Sequence, residues 1–69
     1  MRLSARNQLK GKVAEIKEGA VNAVVTIDIG GGNQITSVIT VDSAKALGLK
    51  AGSEAYAVIK ASSVMVAVD

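Results

Sequence analysis

The chain contains no cysteine and no histidine, and Tyr56 is its only aromatic residue. Without cysteine no disulfide can staple a small core, and without histidine as well the usual zinc ligand sets cannot be assembled. Long apolar runs are missing too. Polar or glycine positions interrupt the hydrophobic residues every few places, so nothing approaches the roughly 20-residue stretch of a membrane span. No apolar signal-peptide core stands near the N-terminus. These absences lead to the expectation of a soluble, cytoplasmic protein with no membrane partner.

Two function classes weaken on the same grounds. A general base would have to come from Glu15, Glu18, Asp28, Asp42, Glu54 or Asp69, and no two of these form a paired catalytic motif. The chain is therefore expected not to be an enzyme. Single-strand nucleic-acid binders stack bases on aromatic platforms, each worth about 1–3 kcal/mol, and Tyr56 alone makes no platform. No nucleic-acid partner is expected, and Tyr56 reads as a rim or interface residue. Gly30-Gly31-Gly32 is followed by Asn33 and a strand pattern rather than by Lys-Ser/Thr and a helix, which excludes a phosphate-cradling P-loop.

What remains is a 69-residue chain, 49% apolar, with eight basic and six acidic residues and a net charge of +2. A chain of this size buries only about 60% of the surface it exposes when unfolded. Its own core is marginal, and self-association is the remaining staple. The charge balance is mildly anion-attracting.

Periodicity predicts five strands and one short helix. Residues 9–17 mix apolar and charged positions as a first strand, with a bulge or bend expected at Gly11. Over residues 21–29, Val21, Ala23, Val25, Ile27 and Ile29 alternate with Asn22, Val24, Thr26 and Asp28, a clear period of two. The glycine run and Asn33 make a hairpin loop into a third strand at 34–41. At 42–48 a capping residue, Asp42 or Ser43, precedes helix formers and a glycine stop. Residues 54–60 and 63–68 read as strands four and five. The order β-β-β-α-β-β is that of an all-β, five-stranded barrel of the oligonucleotide/oligosaccharide-binding (OB) type.

The polar residues suit a small oxyanion. Ser4 and Arg6 stand two apart, a spacing that puts both on one face of an extended segment, and the backbone around Ala5 can add a nest of amides. Thr40 and Ser43 bracket the start of the short helix. Lys60 ends the fourth strand, followed by Ala61 and Ser62, donors without bulk. Taken singly, each has a plainer reading as a cap, a turn residue or a solvated cation.

As a whole, "SARNQLKGKV" at the front and "ITSVITVDSAKALGLKAGSEAYAVIKASSVMVAV" at the back resemble the molbindins, the small molybdenum-pterin-binding-type (Mop) proteins. The resemblance covers essentially residues 1–69, as a single Mop domain. It implies a homo-oligomer, commonly a hexamer built as a trimer of dimers, that binds molybdate or tungstate reversibly at subunit interfaces without an organic cofactor and serves molybdenum storage and homeostasis. Carried onto this sequence, Ser4, Ala5 and Arg6 would come from one subunit, and Thr40, Ser43, Lys60 and Ala61 from its neighbour. Several molbindins carry serine where this chain has Ala61, so a hydroxyl contact there would be lost or pass to Ser62. The alternative function is a swapped-hairpin DNA-binding or OB-type interaction module, the former because "VDSAKALGLKAGSEAYAVI" locally also looks like the swapped-hairpin DNA-binding domains of the transition-state-regulator type. Those DNA-binding domains lack a SARNQ-type segment.

Overall fold

A computed structural model describes residues 1–69. Four antiparallel strands, β1 (Asn7–Glu18), β2 (Asn22–Gly30), β3 (Asn33–Thr40) and β4 (Glu54–Ile59), form one sheet in the order β3-β2-β1-β4. A helix, α1 (Val41–Ala46), connects β3 to β4, and a single 3-10 turn, Ala61–Ser63, follows β4.

The period-two alternation of β2 sets the inner face: Ala23, Val25 and Ile27 are buried, while Asn22, Val24 and Asp28 face outward. Val13 of β1 and Ala57 of β4 join Val25 and Ile27 in the core, with Ile16, Ile29, Ile35, Ile39, Leu49 and Ala55 packed around them. Only six of 69 residues are buried, so the chain's own core is as small as its length leads one to expect.

Gly11 is not bulged. The β1–β2 register instead passes from Val13–Ile27 to Glu15–Thr26, which makes Ala14 the extra residue. Gly11 serves a different need: a Cβ there would overlap the backbone carbonyl of Asp28, so glycine lets β1 and β2 approach closely. At the β2–β3 hairpin, Gly30 pairs with Asn33, and Gly31 and Gly32 form the loop at φ of 64° and 79°. Such left-handed positions favour glycine and match the twist of the flanking strands.

The helix starts at least two residues earlier than the expected cap allows. Its N-cap is Thr40, whose Oγ1 accepts a hydrogen bond from the Ser43 amide at 3.0 Å; neither Asp42 nor Ser43 is the cap. At the other end, the Leu49 amide donates to Ala44 and the Gly48 amide to Lys45, both at 3.0 Å. This is the Schellman closure that a glycine stop serves.

The expected fifth strand is absent. After the 3-10 turn, residues 64–69 form no strand, and Met65, Val66 and Val68 are more than 90% exposed. The segment has strand-like composition but lies on no edge of its own sheet. The architecture is thus a curved four-stranded sheet, a half-barrel, with free edges at β3 and β4. Those edges face one another across an open seam. Ile35 and Thr36 share a cavity with Val58 and Ile59, and Ile39 shares one of about 350 Å³ with Glu54 and Ala55. No helix is long and apolar enough to cross a membrane.

Candidate functional site

The sheet places its two ends very differently. β1 begins at Asn7 opposite Ile59, the last residue of β4. The six residues before Asn7 form an arm that leaves this end of the sheet and brings Met1 to the seam cavity beside Ile39 and Leu49. Immediately after Ile59 the chain turns: Ser63 donates to the Lys60 carbonyl at 2.8 Å and Val64 to that of Ala61 at 3.2 Å. Small residues at 61–63 let this tight 3-10 turn form beside the arm.

Arm and turn enclose an open cleft of about 590 Å³, lined by Ser4, Ala5, Arg6, Val58, Lys60, Ala61 and Ser62. Six of the eight residues singled out from the sequence thus meet in one chain, although the resemblance divided them between two subunits. The lining contains two cations and two hydroxyls and no carboxylate. The structure's one salt bridge, Lys17–Glu15 at 3.7 Å, lies elsewhere. Arg6 and Lys60 therefore have no internal counter-ion, and their charge is available to a ligand.

Thr40 and Ser43 do not join this cleft. Neither residue lines it, and the strand ladders set them at the other end of the sheet. Thr40 pairs with Asn22 at the start of β2, beside the end of β1 at Glu18, whereas Lys60 follows Ile59, which pairs with Asn7 at the start of β1. One small oxyanion cannot touch Thr40 and Lys60 of the same chain. At its own end of the sheet, Thr40 Oγ1 donates to Ser43 Oγ at 2.8 Å, which leaves the Ser43 hydroxyl proton free to donate outward.

The sequence reading passed over Val58, the apolar wall of the cleft, and the last two residues of SARNQ. The Asn7 side-chain amide donates to the Ile59 carbonyl at 3.3 Å, and that of Gln8 to the Ala5 carbonyl at 2.9 Å. Their presence in the motif was the only available signal. Which carbonyl lies within reach depends on the fold.

Chemically, the cleft offers charge-assisted N–H donors and hydroxyls around a shallow, acid-free depression. That set suits a compact dianion.

Comparison with known proteins agrees over the full length. The TOBE domain family matches residues 3–66. A Haemophilus influenzae protein named "Probable molybdenum-pterin-binding protein" is 59% identical over 69 residues, covering 100% of both chains. Among solved structures, MopII from Clostridium pasteurianum superposes with a TM-score of 0.91 at 52% identity, covering 97% of this chain and 100% of that one. A molybdate-binding protein from Sporomusa ovata gives a TM-score of 0.91 at 35% identity, covering 99% and 100%. With its arm, half-barrel and terminal turn all inside these matches, the chain belongs to the TOBE domain family and, within it, to the Mop proteins.

Proposed function

We propose that this protein binds molybdate, with tungstate as a close mimic, and acts as a cytoplasmic molybdenum store or buffer rather than as an enzyme. The observation that carries the reading is the convergence of Arg6 and Lys60, flanked by Ser4 and Ser62, in a cleft without carboxylates. Two fixed cations match the two charges of a tetrahedral oxyanion, and charge-assisted hydrogen bonds are roughly twice as strong as neutral ones. Ala61 supplies no hydroxyl, so Ser62 takes that part. The oxyanion is held directly, with no organic cofactor. The names of the relatives, molybdenum-pterin-binding and molybdate-binding, support the same ligand.

The working form is a homo-oligomer, on the Mop pattern a hexamer of three dimers. Support comes from the unpaired seam and from the exposed segment at 64–68, whose Met65, Val66 and Val68 would each gain roughly 1.5–3 kcal/mol on full burial. Segment 64–68 of one copy has the composition to fill the seam of another. The cleft is also open to solvent, a face that a neighbouring copy could cover. Thr40 and Ser43 can contribute only from that neighbour. The swapped-hairpin DNA-binding alternative is not favoured, because the family match includes the SARNQ arm.

Titration calorimetry with sodium molybdate, run beside sulfate and random duplex DNA, tests this reading. Saturable molybdate binding is expected, and metal analysis after growth on molybdate-supplemented medium should find molybdenum. Absence of binding at millimolar molybdate, or DNA binding with no response to molybdate, would overturn it.

A further inference from the structure

We infer that Asn7 and Gln8 are positioning residues of the cleft, each pinning the peptide carbonyl immediately before one of its two cations. The inference rests on the oxyanion reading above and adds the machinery that holds the site open and ordered.

Gln8 Nε2 donates to the carbonyl of Ala5, the residue before Arg6, at 2.9 Å. Asn7 Nδ2 donates to the carbonyl of Ile59, the residue before Lys60, at 3.3 Å. The peptide unit is planar, so holding a carbonyl also fixes the direction of the next residue's N–H and the origin of its side chain. Two neighbouring amides thereby set the backbone from which both cations depart.

The arm makes this consequential. No backbone–backbone hydrogen bond reaches residues 1–6, and the Gln8–Ala5 bond is the only hydrogen bond of any kind that these residues make. Beyond Met1, which lines the seam cavity with Ile39 and Leu49, the Gln8 amide is thus the one polar tie on the three cleft residues Ser4, Ala5 and Arg6. A flexible donor arm must be ordered when an anion binds, and that ordering subtracts from affinity; an arm already held avoids much of the loss. Gln8 is exposed and Asn7 half-buried. Neither packs in the core, so a role confined to stability would be small.

The test is Gln8→Met, which keeps the length and removes the donor, with Asn7→Leu as the second variant. Molybdate affinity should fall about fivefold in each, the scale of one hydrogen bond, while ligand-free melting temperature and oligomeric state stay at parental values. In an Arg6→Ala background, Gln8→Met should change affinity less than about twofold, because its effect acts through the arm. Backbone ¹⁵N order parameters of residues 3–6, measured without ligand, should drop in Gln8→Met. Parental affinity in Gln8→Met, equal losses with and without Arg6, or unchanged order parameters would each overturn the inference. If the arm loosens but the parent protein binds no molybdate, the pinning stands and the oxyanion reading fails.

Discussion

Gly11 lies against the backbone carbonyl of Asp28 so closely that a Cβ would overlap the oxygen. The contact lies beside the Lys12–Asp28 pair of the β1–β2 ladder, and the added atom would also press on Ile27. Gly11→Ala must push the two central strands apart. It should destabilise the protein by about 1–3 kcal/mol, the range for overpacking. Urea denaturation with an unchanged slope and an earlier midpoint would register it; a parental midpoint would mean that the strands move apart freely.

Arg6 is the sharper test of the site. Arg6→Ala should weaken molybdate binding at least tenfold, in keeping with the roughly 1.5–3 kcal/mol of a hydrogen bond to a charged group. Lysine at this position retains the charge without the planar fork, so Arg6→Lys should recover only part. Arg2→Ala, outside the cleft lining, serves as the control and should bind as the parent does. Calorimetry on the three variants decides; parental affinity in an oligomeric Arg6→Ala would remove Arg6 from the site.

Thr40 controls the other end of the sheet. Replacing it by alanine removes the N-cap bond to the Ser43 amide and should cost about 0.5–2 kcal/mol. Thr40→Ser retains the hydroxyl and should recover most of that. Thermal melts followed by circular dichroism would rank the three proteins, and an order with alanine equal to threonine would show the cap to be dispensable.

Assembly can be probed through the C-terminal segment. On a sizing column the intact chain should elute near six times its 7.0 kDa mass. Truncation after Ser63 removes the five apolar side chains of residues 64–68 and should shift elution to a smaller species. Because a ligand that binds only the assembled state stabilises it by mass action, millimolar molybdate should raise the melting temperature of the intact protein and not of the truncated one.

The sequence made some of this plain and hid the rest for physical reasons. β2 was legible because Ala23, Val25 and Ile27 bury one of its faces while most residues between them face outward, which writes a period of two. The hairpin was legible because Gly31 and Gly32 occupy left-handed positions. Residues 63–68 misled because a run of valines, methionine and alanine has strand composition, while within the chain no strand pairs with it. Thr40 was passed over as a cap because Val41, β-branched and apolar, reads as strand, yet it opens the helix. In the site, resemblance picked out Arg6 and Lys60, but periodicity could not tell that Lys60 and Thr40 lie at opposite ends of one strand's length. Asn7 and Gln8 escaped because an amide's partner is a tertiary fact.

The β3 edge has a consequence for the life of a single chain. Its eight residues, NQITSVIT, include no charge and no proline, and those are the usual devices that keep a bare strand from recruiting others. A freshly synthesised chain therefore carries an unguarded template, and its safety depends on time rather than on shape. Correct docking must outpace random edge-to-edge pairing. Inclusion bodies formed by a chain whose purified form is stable would report a race lost by the undocked strand, not an unstable fold.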